Sequence, residues 1–197
     1  MATYQAIAAT SEAIRGILKS TAAESEFAGM AFELSQASDM QKFPDQATVA
    51  LYLYRVVVNN AQRNMLPRPA PNGHRRRHPL PLDLHYLLIA WVADAAKQQR
   101  LLAWCARVLE DTPIVPSSLL NAAGPEDNVF FPDETVELTY DPLSLQDLYN
   151  VWQVAQHNQQ PSLAYVARMV RIESSTTLSE HAPVQTRDFG MGKVLLP

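Results

Sequence analysis

An aspartate and a histidine stand two positions apart in the segment PLPLDLHYLLIAW, at Asp83 and His85. In a β-strand such residues share one face, so the carboxylate could orient the imidazole as in a general-base pair. The chain has no G-x-S-x-G, P-loop or H-E-x-x-H pattern, and its only cysteine, Cys105, lies in the apolar stripe of a predicted helix. The pattern therefore favours a histidine bonded to a neighbour at a strand edge, and a small intracellular enzyme that uses this face is the alternative.

A basic run, HRRRH, occupies residues 74 to 78. It could contact phosphate or nucleic acid, and its two histidines could together bind a metal ion weakly. The four-residue histidine spacing is a zinc signature only on a helix, which Gly73 and Pro79 disfavour, and the net charge of −4 argues against nucleic acid. We therefore expect an exposed loop over residues 60–81 that docks onto an acidic protein partner. Its arginines are the first interface candidates: Arg63, Arg68, Arg75, Arg76 and Arg77.

Two further arginines, Arg168 and Arg171, lie in the predicted last strand. Because they are an odd number of residues apart, strand alternation places them on opposite faces of the sheet. At least one of them then faces the covered side of the sheet, a helix edge or a partner, where an unpaired arginine is costly. A salt bridge within the fold or across a subunit contact is therefore expected.

Hydrophobic periodicity predicts the helices and strands that position these residues, and their order along the chain. Spacings of three and four predict helices, and alternating or β-branched runs predict strands. Loops rather than helical crossovers link the first three strands, so the order predicts an α+β (mixed α/β) fold with one largely antiparallel sheet and helices packed on it. In the last helix we expect Leu145, Leu148 and Trp152 to face inward. The predicted helices cover residues 4–18, 95–111 and 144–156, and the predicted strands cover residues 30–35, 49–59, 79–91, 134–140 and 162–173.

Composition predicts one compact domain over residues 1–173, because hydrophobic residues make up 47% of the chain and charged residues 18%. A single cysteine excludes an intrachain disulfide, and the sequence shows neither a classical secretory signal nor an apolar run long enough to span a membrane. Residues 174–197 have no helical stripe and are expected to form an arm. The arm ends in an apolar run that could add to an exposed sheet edge: Val194, Leu195 and Leu196.

Six blocks, in this order along residues 1–173, carry a family resemblance. They are YQAI, LYLYRVVVN with RNMLPR just after it, LPLDLHYLLIAW, QQRLLAWCARVLEDTP, DETVELTYDPLSLQDLYNVW and SLAYVARMVRIE. Together they resemble the tail-terminator or cap proteins of phage-tail-like contractile injection systems. The arm over residues 174–197 matches no part of that family pattern.

The resemblance implies a structural protein rather than an enzyme. Relatives are small α/β subunits that form a hexameric ring on the last layer of the inner tube, end its growth and tie it to the sheath at the end away from the baseplate. The implied partners are five further copies of the chain, the tube protein and the sheath protein, with no cofactor, nucleic acid or membrane insertion. Assembly would take place in the bacterial cytoplasm, and the protein would then remain part of the particle. Asp83 and His85 would be ring or fold contacts.

Overall fold

The computed structural model describes residues 4–63, 66, 76–123, 128–153 and 158–178. These residues form four α-helices and six β-strands, with two short 3-10 turns between them. The helices are α1 (Ala6–Ala22), α2 (Ala95–Glu110), α3 (Ser117–Ala123) and α4 (Leu145–Trp152), and the strands are β1 (Ala31–Ser35), β2 (Thr48–Val58), β3 (Leu80–Trp91), β4 (Ile114–Pro116), β5 (Thr135–Tyr140) and β6 (Ser162–Ile172).

The strands form one six-stranded sheet in the order β1-β2-β3-β6-β5-β4. Only the β1–β2 pair is parallel, and the other four neighbouring pairs are antiparallel. The predicted fold class, a single largely antiparallel sheet with helices packed on it, is therefore confirmed. The central position of β3 explains its nearly continuous apolar sequence, since both of its faces are covered along most of its length.

One face of the sheet, called here the three-helix face, is covered by α1, α2 and α3. It carries the alternate β3 residues from Leu82 to Ala90, which belong to the main hydrophobic core. Tyr86 lies at the centre of this face and is 1% exposed. Its hydroxyl is 2.8 Å from the Ser11 hydroxyl of α1, so the only polar atom of the ring has a partner. Burial raises the pKa of Tyr86, and the ring stays neutral at physiological pH.

The opposite face, called here the α4 face, is covered by a smaller cluster. Trp152 of α4 packs edge-on against Trp91 of β3, with ring centroids 6.2 Å apart. Leu87 and Ile89 lie beneath them and are completely buried. The α4 cluster covers the half of β3 that ends at Trp91, and polar side chains occupy the other half, where Asp83 and His85 lie.

The segment between α2 and β5, for which the sequence predicts neither a helix nor a strand, contains β4 and α3. A strand of three residues and a helix of seven are too short to show a period in the sequence. Tertiary contacts hold them instead, because Val115 and Leu120 are fully buried. The Asn121 side chain makes two hydrogen bonds with the backbone of Phe130: it donates to the carbonyl oxygen and accepts from the amide.

The predicted inward side of α4 is correct at one end of the helix and wrong at the other. Trp152 is 2% exposed and Leu148 packs against the same cluster, but Leu145 is 86% exposed. Ser144 caps the helix by accepting from the Asp147 amide, as the Ser-x-x-Asp pattern predicts. Leu145 is the first residue after that cap and lies beyond the area that the sheet covers.

Candidate functional site

Asp83 and His85 share the α4 face, but they do not form a pair. The Asp83 carboxylate accepts two hydrogen bonds from the Asn59 side-chain amide, at 3.1 and 3.2 Å. The His85 Nδ1 atom lies 2.8 Å from Asp141 Oδ2 instead. Residues two apart on a strand are separated by about 7 Å, which is too far for a direct hydrogen bond between short side chains. Each of the two side chains therefore bonds to a residue on a neighbouring segment. Asp83 therefore does not orient His85 as the alternative enzyme interpretation requires, and His85 is bonded to a neighbour, as the favoured interpretation expects.

Asp141 is the residue on which this polar cluster is built. Its Oδ2 atom also accepts a hydrogen bond from the Tyr54 hydroxyl at 3.4 Å, and the Tyr54 and His85 rings lie 6.0 Å apart. Burial, followed by the charge of Asp141, raises the pKa of Tyr54 to about 12. In the sequence Asp141 signals only the start of a helix. Its contact with His85 spans 56 residues and depends on the strand order, so no local pattern could have shown it.

A surface cleft of about 520 Å³ opens beside this cluster, between the sheet and α4. Its polar groups suit hydrogen bonds and ion pairs with a partner, because they include a cation, two carboxylates and an imidazole. None of the lining side chains is a serine, threonine or cysteine that His85 could activate as a nucleophile. The lining residues are Tyr52, Tyr54, Arg55, His85, Asp141, Leu143, Asp147, Asn150 and Val151. Within the described ranges, no three His, Cys, Asp or Glu side chains converge as a metal-ligand set.

Arg168 and Arg171 lie on the same face of the sheet, which corrects the prediction of opposite faces. Ala167 pairs with Leu84 and Val170 pairs with Leu82, so β6 holds one more residue than β3 in this interval. The extra residue forms a β-bulge and reverses the alternation after it. Both arginines therefore project from the α4 face. In the part of the chain that the structure describes, neither guanidinium has a carboxylate within salt-bridge distance.

A similar irregularity in β2 brings Arg55 to the α4 face. Leu53 pairs with Tyr86 and Arg55 with His85, so Tyr54 is the additional residue. Both side chains of the bulge then lie beside His85, where Tyr54 reaches Asp141. Two bulges thus shape the polar half of the α4 face, and neither has a glycine or proline that would reveal it in the sequence.

The β6 bulge predicts a specific response to substitution at Met169, whose φ is +70°. This left-handed conformation costs a residue with a Cβ about 1–2 kcal/mol, and more for a β-branched side chain. We expect Met169→Val to lower the free energy of unfolding by at least about 1 kcal/mol relative to Met169→Gly. Urea unfolding of the two variants checks the difference. Equal stabilities, or a more stable valine variant, would contradict the left-handed bulge.

The basic loop and the arm lie partly within the described residues. The Arg77 amide donates to the Thr176 carbonyl oxygen at 3.1 Å, and Arg76 forms an isolated antiparallel bridge with Thr177. The beginning of the arm therefore runs beside the end of the basic loop. Arg63 follows a 3-10 turn after β2. The other interface candidates lie outside the described residues: Arg68, Arg75, Val194, Leu195 and Leu196.

No helix among the described residues has both the length and the apolar character needed to cross a membrane.

Comparison with known proteins identifies a family and a fold. The Pvc16 N-terminal domain family matches residues 9–186. A solved structure of an extracellular contractile injection system, the PVC sheath/tube terminator in the extended state, matches 95% of this chain and 63% of its own with 18% identity and a TM-score of 0.60. The anti-feeding prophage cap, described as the AFP tube terminating cap, matches 75% of this chain and 52% of its own with 18% identity and a TM-score of 0.48. No curated protein matches the chain.

The resemblance to tail-terminator or cap proteins is confirmed by the family match and by the fold shared with the PVC terminator. This chain spans 63% of the length of that terminator chain. The family match covers the sheet, α2, α3, α4, all but the first three residues of α1 and the polar cluster around Asp141, and it extends into the arm as far as residue 186. The chain belongs to the Pvc16 N-terminal domain family.

Proposed function

We propose that this protein is a structural cap that ends the inner tube of a contractile injection system. The observation that carries the proposal is the family match over residues 9–186. The fold shared with a protein described as a sheath/tube terminator supports the same role. In this proposal six copies form a ring on the last tube layer, at the end away from the baseplate, and the ring ties tube to sheath. The ring assembles in the bacterial cytoplasm and remains part of the particle.

The role is proposed to be non-enzymatic. An enzyme that used the Asp83 and His85 face would rely on the His85–Asp141 pair, because Asp83 is bonded to Asn59. The side chains that line the cleft beside that pair include no hydroxyl or thiol other than the phenols of Tyr52 and Tyr54, and the phenol that bonds to Asp141 is that of Tyr54. The pKa of this phenol is raised to about 12, which keeps it protonated and a poor nucleophile at neutral pH. The cluster is better suited to join β2, β3 and the start of α4.

The partner contacts are proposed to lie at the end of the sheet where β3 begins and β6 ends. The basic loop, with Arg63, Arg68, Arg75, Arg76 and Arg77, would bind acidic groups of the tube or sheath. Arg168 and Arg171 on the α4 face would extend this basic region. The arm over residues 174–197 would add its final apolar residues, Val194, Leu195 and Leu196, to a partner's sheet edge. Residues 1–173 would form the ring subunit itself.

Binding to tube ends tests this proposal. Purified protein is added to tubes and sheaths of a contractile injection particle from the same organism, and electron micrographs record where it binds. We expect it at one end only. Changing Arg75, Arg76 and Arg77 to Glu should weaken binding about tenfold or more at low salt, with a smaller difference at high salt, because exposed charges are screened.

A matched control carries the same charge reversal on the outer side of α2, at Lys97, Arg100 and Arg107. This control should bind as the unchanged protein does, and circular dichroism should show that both triple variants fold. The backbone bonds of Arg76 and Arg77 to the arm do not depend on their side chains. Absence of end binding would overturn the cap role, whereas unaltered binding of the Arg75–Arg77 variant would overturn only the role of the basic loop.

A further inference from the structure

Strand β2 is longer than the strand that pairs with its outer side. It runs from Thr48 to Val58, but β1 pairs only with Thr48–Tyr52. Among the described residues, no strand pairs with the outer side of the segment Tyr54–Val58, and this part of β2 pairs with β3 alone. The outer side of Tyr54–Val58 is called here the β2 edge. The outward N–H and C=O groups of such an edge can pair with a further strand.

Side-chain exposure along β2 changes where β1 ends. Val49 and Leu51 lie on the three-helix face beside β1, and they are 2% and 4% exposed. Val56 lies on the same face, because it pairs with Leu84 of the main hydrophobic core, yet it is 45% exposed. The β2 edge therefore leaves apolar surface at the side of the sheet where a further strand would cover it.

The two outermost strands of the sheet have features that disfavour pairing with a further strand. β4 has only three residues and ends in Pro116, which has no amide hydrogen, and Pro113 precedes it. β1 has five residues, of which Glu33 is charged and exposed. The β2 edge has Arg55 as its one charged residue, no proline and three consecutive valines at positions 56–58. Because β-branched residues favour strands, it is the open stretch best suited to pair.

The arm starts at the end of the sheet where the β2 edge lies. The Asn59 amide, directly after β2, donates to the Pro81 carbonyl oxygen of β3. A few residues before Pro81, the Arg77 amide donates to the Thr176 carbonyl oxygen of the arm. The end of β2, the start of β3 and the start of the arm therefore lie together, with only β3 between the arm's origin on β6 and β2.

The length of the arm is sufficient to reach the β2 edge of its own chain. Leu178 is the last described residue, and residues 179–197 follow it. Residues 179–193 separate Leu178 from the apolar run Val194–Leu196, and fifteen extended residues span up to about 50 Å. Neighbouring strands lie only about 4.8 Å apart, so crossing β3 and β2 uses a small part of that length.

We propose that in the free subunit the arm covers the β2 edge of its own chain, with Val194, Leu195 and Leu196 paired as a further strand beside Tyr54–Val58. The backbone of the run supplies the hydrogen bonds, and its apolar side chains cover Val56. A segment tethered to the same chain has an effective concentration in the millimolar range. It therefore occupies the edge ahead of a second copy at micromolar concentration.

This inference goes beyond the cap role, because it concerns the subunit before assembly. An open edge rich in β-branched residues pairs readily with other chains, and native proteins usually cover or charge such edges. When the arm adds to a partner's sheet edge, as proposed above, it exchanges one sheet edge for another of the same kind. Such an exchange of one element between chains has a low cost, as in domain swapping.

Hydrogen exchange of the full chain at micromolar concentration tests the cover. Changing both Val194 and Leu195 to Pro removes one amide that faces the edge, whichever side of the run is turned inward. We expect the outward amides of Tyr54–Val58 to exchange at least about tenfold faster in this variant than in the unchanged chain. The amides of Thr48–Tyr52, which β1 covers, should exchange equally in both chains and show that the sheet is folded.

The matched control places two prolines in the arm before the apolar run, at Gln185 and Thr186. This control has the same number of substitutions and leaves Val194–Leu196 unchanged. Its outward amides at the β2 edge should exchange as slowly as those of the unchanged chain.

Cross-linking identifies the chain that supplies the arm. A full chain with Val56→Cys and Leu195→Cys is treated with a short bismaleimide, and the native Cys105 does not compete because it is buried. We expect a product with the mass of one chain, in a yield that does not fall on dilution. Each single-cysteine variant is the control and should give no such product.

Three outcomes would overturn the inference. The first is equally fast exchange at the β2 edge in the unchanged chain and in the variant with prolines at 194 and 195. The second is equally slow exchange in both, because another segment would then cover the edge. The third is cross-linking only between two chains, because a second copy would then supply the arm. None of these measurements uses tubes or sheaths, so the cap role and this inference can fail separately.

Discussion

Deleting this chain from a cell that assembles the particle is expected to leave tube and sheath subunits intact but to remove particles of uniform length. Tubes of stacked, identical layers grow by a head-to-tail contact that has no natural end. A cap supplies a surface onto which no further layer fits. Without it we expect particles whose lengths spread several-fold more widely, or no complete particles, when electron micrographs of the deletion strain are measured.

Complementation gives the control for this experiment. The unchanged chain supplied from a plasmid should restore the narrow length distribution. A chain with Ala103→Gln, a substitution on the exposed side of α2, should restore it equally well. Uniform particles of normal length in the deletion strain would contradict a terminating role.

The sheet and its main helices could be predicted because each has a strong local pattern. The β3 segment is a nearly continuous apolar run, and α2 directly follows its cap residue Asp94, whose side chain accepts a hydrogen bond from the Lys97 amide. Such signals need no knowledge of the neighbouring strands. They predict the kind of element and the approximate ends of each, which is why the largely antiparallel fold follows from the order of the elements.

The candidate site could not be predicted to the same extent, because it depends on register. Strand alternation alone places Arg168 and Arg171 on opposite faces, and one additional residue at the β6 bulge reverses that result. Likewise, His85 and Asp141 are brought together by the β3–β6–β5 order, which sequence periodicity does not specify. The residues of the site were visible in the sequence, but their partners were determined by long-range pairing.

Helix α4 shows the same limit within one element, since its apolar side chains divide between core and surface. Leu145 and Trp152 are seven residues apart and therefore close to the same side of an ideal helix, which predicts that both are buried. The helix has only eight residues, and its first turn extends past the edge of the apolar cluster. Periodicity identifies which side of a helix is apolar, but the extent of the opposing surface decides how much of that side is covered.

The buried end of α4, at Trp152, is where we expect a single substitution to have the largest effect on stability. Trp152→Ala should lower the free energy of unfolding by about 3–5 kcal/mol, because it removes a large side chain that is 2% exposed and leaves a cavity against Trp91. The indole also donates to the Ser162 hydroxyl at 3.3 Å, and that partner is lost. For a chain of this size the melting temperature should fall by roughly 6 to 20 °C.

Leu145→Ala is the matched comparison, because it truncates a large apolar residue of the same helix that is 86% exposed. It should change the free energy of unfolding by less than about 0.5 kcal/mol, as surface substitutions usually do. Both variants are measured by urea unfolding under the same conditions. Equal losses would mean that α4 buries both ends of its apolar side, and a small loss for Trp152→Ala would mean that α4 is not anchored through Trp152. A large loss for Trp152→Ala alone is the result expected from a helix that is held on the sheet at one end and exposed at the other.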